Sequence, residues 1–145
     1  MKYLMHILCC LFVCFGCSQV TEVSRTVWGT STRALNDARI DASVASYECV
    51  YDDCFNAVLD LTKARVVNDQ LNDKIFELFQ KNYVKGFIVV LGIEGNVDTT
   101  EVGIFFSRIK QNVTKIEVSS LSVTAKEKVA DAIGAHLEQF FPKVN

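Results

Sequence analysis

Phe87-Ile88-Val89-Val90-Leu91 has no polar position on either side of an extended chain. Side chains of a strand alternate between the two faces of its sheet, so Phe87, Val89, Leu91 and Ile93 share one face while Ile88 and Val90 share the other. An apolar set on both sides has to be covered on both sides, which predicts a central strand. Gly92 and Gly95 mark its frayed end. Whatever this chain folds into must therefore place material on both faces of a sheet.

The segments around it read as further strands and two helices. Ala45 to Val50 has strand character, and Asp52 or Asp53 offers a cap for a helix whose apolar positions Phe55, Val58, Leu59 and Thr62 recur with the 3.6 period, ending near Ala64. Arg65-Val66-Val67 leads into a polar turn at Asn68 to Asp73. Lys74 to Gln80 is another strand candidate, closed by a turn at Lys81-Asn82. After a loop at Glu94 to Asp98, Thr100, Val102, Ile104 and Phe106 alternate with Glu101, Gly103 and Phe105. Thr114 to Ser119 repeats the alternation with Ile116 and Val118 inward and Lys115 and Glu117 outward. Thr124-Ala125-Lys126-Glu127 has capping-box spacing and opens a final helix with the stripe Val129, Ile133, His136, Leu137 and Phe140, stopped by Pro142.

The order is strand, helix, several strands, helix. Short connections between successive strands favour antiparallel hairpins, because a parallel pair needs a crossover of about a dozen residues or more. The expected fold is α+β: an antiparallel meander with two amphipathic helices on one face, in two layers. With 145 residues, half of them hydrophobic, the chain has material for one core and is short for two domains.

The N-terminus has a different character. Lys2 precedes an apolar stretch from Leu4 to Phe15, broken only by His6 and closed by Gly16-Cys17. That is the layout of a secretory signal; the stretch falls short of the roughly 20 helical residues that cross a bilayer. Residues 1–17 resemble a bacterial lipoprotein signal, whose lipobox sets a small residue before the cysteine that is lipidated and becomes the new N-terminus. The resemblance implies that residues 1–16 are removed and that Cys17 carries the lipid; an ordinary secreted chain cut near the same place is the alternative. Residues 17–43 then read as anchor and tether, rich in Ser and Thr, with a weakly amphipathic helix from about Thr30 to Ile40. The domain proper is expected over 44–145. Trp28, in the tether, could rest at the membrane interface or pack on the domain.

The chain from about Val44 to Leu137 resembles a family of small bacterial exported lipoproteins of unknown function. The likeness lies in a strand, a helix like Asp53 to Lys63, a meander through Thr99-Thr100-Glu101-Val102 and a terminal amphipathic helix. It implies the fold and carries over no catalytic residues.

Cysteine usage changes once the leader is removed. Cys9, Cys10 and Cys14 leave with it and Cys17 takes the lipid, so Cys49 and Cys54 remain, both facing an oxidising compartment if the chain is exported. Two buried free thiols are the favoured state. A bridge requires Cα atoms roughly 4.4–6.8 Å apart.

Signals for chemistry are sparse. His136 is the one histidine left after the leader, and it lies on an apolar stripe. Ser119 and Ser120 lack the G-x-S-x-G setting of a nucleophile elbow. Cys49, Asp52, Asp53 and Cys54 cluster without the second ligand pair of a zinc site, and no metal or cofactor is assigned. Glu101 is an isolated carboxylate in an apolar strand: facing inward it would mark a ligand cleft with a raised pKa, facing outward a solvent-side gatekeeping charge, which is the favoured orientation. The net charge of −2 grows one unit more negative once Lys2 is lost, with no dense Lys/Arg cluster, so nucleic acid is not an expected partner.

The expectation is a non-enzymatic interaction or structural module of the bacterial envelope, held to the membrane through lipid on Cys17 and meeting an envelope protein. Ser18 after the anchor points to the periplasmic face of the outer membrane. The alternative is a periplasmic small-ligand binder or enzyme with a pocket between helices and sheet, for which Glu101 and His136 are the candidate cleft residues.

Overall fold

The structure, a computed structural model, describes residues 32–63, 65–67, 70–72, 75–91 and 100–144. The chain divides into a unit up to Ala34, of which residues 32–34 are described and helical, and a unit from Leu35 to Asn145. In the second unit, helical residues 35–37 run into a 3-10 turn, Ala38–Asp41. There follow β1 (Ser43–Tyr47), α1 (Tyr51–Asp60), β2 (Arg65–Val67), β3 (Gln70–Asn72), β4 (Glu77–Asn82), β5 (Phe87–Leu91), β6 (Val102–Lys110), β7 (Val113–Ser119), α2 (Val123–Leu137) and β8 (Lys143–Val144). β2, at the expected Arg65-Val66-Val67, pairs with β3 in a separate hairpin, so a strand stands inside the polar turn expected from Asn68 to Asp73.

The main sheet is antiparallel throughout, in the order β4-β5-β6-β7-β1-β8. This is the α+β meander expected from the short connections. The β4–β5 turn needs Gly86, whose φ of +70° is unfavourable for a side chain and whose place beside the Phe106 carbonyl, 2.7 Å from where a Cβ would stand, leaves no room for one.

One sheet face carries both long helices. In α1, Tyr51, Cys54, Phe55, Val58 and Leu59 recur at i, i+3, i+4, i+7 and i+8 and are buried. In α2 the buried positions are Ala125, Val129, Ile133 and Leu137, one per turn. Both stripes meet Ile88, Val90, Val102, Ile104, Phe106, Ile116 and Val118 in one core. Helix boundaries differ from the expected ones. Val50, not Asp52 or Asp53, precedes α1 as its N-cap, and the two carboxylates lie in the first turn, where they suit the dipole. α2 is capped by Ser122, whose Oγ accepts from the Ala125 amide, so Thr124 is inside the helix. It ends at Leu137, ahead of Pro142, leaving Phe140 outside and 61% exposed.

The opposite face is also covered. Phe87, Val89 and Phe105 are buried there together with Leu35. Gly103 makes the space, since a Cβ on it would stand 2.7 Å from the Phe105 ring and 3.4 Å from Leu35 Cβ. The Ser119 hydroxyl donates to the Leu35 carbonyl at 2.7 Å. Arg39 lies over the Phe105 ring, 4.6 Å from its centroid, and its guanidinium donates to Glu117, which Lys115 also approaches at 3.3 Å. Burial pushes the Glu117 carboxyl up, but the hydrogen bonds and charges of Arg39 and Lys115 outweigh it and hold it below its ordinary range. Lys115 and Glu117 do point away from the helix-bearing face, as expected, yet Glu117 is buried rather than solvated. The helical segment from Leu35 to Asp41 thus packs within the compact unit, ahead of the start near Val44 that the sequence suggested.

Candidate functional site

Two hollows flank α2. The first lies between α2 and β1, with a volume of about 330 Å³. Its floor is Ala45, Ile116, Val118, Ala130 and Ile133, and Ser43, Asp131, Glu138 and Lys143 rim it. The space exists because small residues face one another across the helix–sheet joint: Ala45 on β1 against Ala130 and Gly134 on α2. Tyr47 also lines it; a Cβ on Gly134 would lie 3.6 Å from its hydroxyl and 3.9 Å from Glu138 Oε1. Burial first, then the Glu138 carboxylate, raise the Tyr47 pKa. Lys143 Nζ stands 3.6 Å from Glu138 Oε1.

The second hollow, about 520 Å³ and more open, runs between Asp53, Asn56, Ala57 and Asp60 on α1 and His136, Phe140 and Phe141 at the end of α2. His136 packs against the edge of the Phe140 ring, with centroids 5.4 Å apart. Asp60 is paired with Lys63 at 2.6 Å.

A third grouping sits where α1 begins. The Tyr51 hydroxyl donates to the Tyr83 carbonyl at 2.8 Å, the Tyr83 hydroxyl donates to Asp52, and Arg108 lies 3.6 Å from Asp52 and 4.7 Å above the Tyr51 ring. The hydrogen bond to Asp52 is the main cause that raises the Tyr83 pKa; burial raises that of Tyr51. With Phe55 and Phe106 packed edge-on or tilted against these rings, the arrangement ties the β4–β5 turn to α1.

The candidate residues are placed as follows. Glu101 precedes β6, half-buried, and burial raises its pKa; its carbonyl accepts from Ser120 Oγ at 2.9 Å. Ser120 Oγ in turn accepts from the amide of Ser122, the residue that caps α2. His136 is in the last turn of the same helix, about 20 Å away at a rise of 1.5 Å per residue. Glu101 and His136 therefore stand at opposite ends of α2; His136 lines the second hollow, and Glu101 lines neither of the two. The same distance separates His136 from Ser119 and Ser120, whose hydroxyls are committed to main-chain carbonyls.

Cys49 and Cys54 are joined in a disulfide with Cα atoms 5.9 Å apart, so the two free thiols favoured from sequence are corrected to a bridge. The bridge leaves Asp52 and Asp53 without a neighbouring thiolate for a metal, and among the described residues no group of three or more His, Cys, Asp or Glu side chains is gathered for one. Among them, too, no helix is long and apolar enough to cross a membrane. Cys17, Trp28, Ile93 and the loop Glu94 to Asp98 lie outside the described residues.

Sequence reasoning missed the groove beside β1. Its signal was present in the small residues Ala45, Ala130 and Gly134, but only the sheet order, with β1 next to β7, brings them together. Comparison with family models, curated proteins and solved structures finds no match to this chain.

Proposed function

We propose that this chain is a bacterial envelope lipoprotein whose α+β domain is a non-enzymatic interaction module. The observation that carries the reading is Gly16-Cys17 closing a short apolar stretch behind Lys2. In this reading residues 1–16 are removed, Cys17 holds the lipid, and Ser18 directs the chain to the periplasmic face of the outer membrane. Each buried CH₂ contributes about 0.8 kcal/mol, so the several acyl chains of a lipoprotein give stable attachment where a single chain does not. The domain then meets its partner in two dimensions. The groove between α2 and β1, with an apolar floor and hydrogen-bonding rim, is the surface best suited to contact it.

A second reading, a periplasmic binder of small ligands, draws on the same groove, whose volume of about 330 Å³ is at the lower end of the roughly 300–1,000 Å³ typical of ligand pockets. The test is fractionation and crosslinking in a diderm bacterium. Wild-type protein should sediment with outer membranes and give discrete crosslinked adducts there, while Cys17→Ala is released to the soluble periplasm and loses them. Soluble wild-type protein would remove the anchored module and leave the ligand binder.

A further inference from the structure

We infer that the groove between α2 and β1 binds a small primary amine with an apolar body, its ammonium seated over Gly134 between the Tyr47 hydroxyl and the Glu138 carboxylate. This names a ligand for the surface proposed above as the contact region, and it rests on that reading.

A buried hydroxyl supplies the first argument. Tyr47 is 2% exposed, it lines the groove, and among the described residues its hydroxyl has no hydrogen-bond partner. No buried side-chain oxygen or nitrogen among these residues is sealed off without a partner, so the phenol oxygen opens on the groove. A polar group that deep in the fold calls for a partner from within the space it faces.

Gly134 supplies the second. A Cβ there would stand 3.6 Å from the Tyr47 hydroxyl and 3.9 Å from Glu138 Oε1, both ordinary contact distances, and the residue's φ is not positive. Neither crowding nor backbone conformation therefore calls for a glycine, and glycine inside a helix is less stable than alanine. What the missing side chain leaves is a space bordered by two oxygens, one of them a carboxylate's.

Charge selects the occupant. A hydroxyl oxygen and a carboxylate oxygen facing one space suit a donor that carries positive charge, and an ammonium has three N–H bonds to offer them. The rim has the same bias: Asp131 and Glu138 stand against Lys143, which reaches Glu138 at 3.6 Å and leaves Asp131 without an ion pair among the described residues. An acid of the same shape would meet both carboxylates. Beneath the rim, Ala45, Ile116, Val118 and Ile133 form an apolar floor for a short hydrocarbon body. The volume of about 330 Å³ admits a free molecule of that size.

The test titrates n-pentylamine at constant pH into the isotope-labelled full chain in detergent micelles and follows the amide chemical shifts, with pentanoate as the matched acid. Pentylamine should shift the Tyr47, Gly134 and Glu138 amides saturably, and pentanoate should bind at least tenfold more weakly. Gly134→Ala puts a methyl group into the space; it should weaken the amine at least tenfold with the melting temperature unchanged or raised. Tyr47→Phe removes the hydroxyl alone and should weaken the amine at least threefold. Undiminished binding by either variant, equal binding of the acid, no saturable shift, or shifts confined to other parts of the domain would overturn the inference. Tighter binding of Nα-acetyl-lysine methylamide, which shares the stem of pentylamine, would also overturn it, since that gives the site to a lysine of a partner protein. Failure here with the envelope crosslinks intact sinks the amine site alone.

Discussion

Leu35→Ala separates a domain that begins at Leu35 from one that begins near Val44. Leu35 is 3% exposed and sits on Phe87, Val89 and Phe105. Truncating a buried leucine to alanine costs about 2–5 kcal/mol, the spread reflecting how far the surroundings close over the cavity. Here one wall is a sheet and the other a short helical segment able to settle inward, which places the cost at the lower end, about 2–3 kcal/mol. For a domain of this size that is a fall of roughly 9–13 °C in melting temperature. The assay is urea unfolding of the mature chain followed by far-ultraviolet circular dichroism, with Ile40→Ala, at a position in the same segment that is 89% exposed, as the control. Ile40→Ala should stay within about 0.5 kcal/mol of wild type. If Leu35→Ala also stays within that margin at an unchanged m-value, the segment contributes nothing to the fold and is a tether after all.

Two other perturbations follow from the same face. Val89→Asp should abolish cooperative unfolding, because an unpaired charge beside Phe87 and Phe105 costs several kcal/mol out of the 5–15 kcal/mol typical of a domain, whereas Glu101→Gln should shift stability by no more than about 0.5 kcal/mol, towards stabilisation since burial disfavours its charge; chemical denaturation of both variants checks this. Glu117 titrates below its ordinary value of 4.5 in the folded chain, so its contribution is present above that pH and is lost as pH falls through the folded value. Unfolding measured from pH 7 to pH 3 should show Glu117→Gln losing less stability on acidification than wild type, and parallel curves would remove the Arg39–Glu117–Lys115 group as a latch.

Much of the fold was legible because the apolar periods are unambiguous. The two-sided run at Phe87–Leu91 demanded cover on both faces, and the structure supplies it. What supplies it was harder to read. The segment around Leu35 is mostly polar, and its hold on the sheet comes from one leucine, a guanidinium that lies on a ring and pairs with Glu117, and a hydroxyl–carbonyl bond, none of which makes a strong periodic pattern. Glu117 alternates as a solvent-facing residue should, and only Arg39, distant in sequence, turns that face into an interior. Glu101 and His136 both stand out in apolar surroundings, but which of them borders a hollow depends on the helix: α2 holds them a helix length apart, and His136 lines the hollow at its far end. The disulfide was a matter of Cα separation, which sequence does not carry.

The most direct measurement is the intact mass and N-terminal peptide of the mature protein, purified from bacterial membranes after feeding an alkyne-labelled fatty acid. The account predicts a chain that begins at Cys17, carries acyl groups on that residue, and loses the label in Cys17→Ala. An unacylated mature N-terminus, or a chain that keeps residues 1–16, would contradict it.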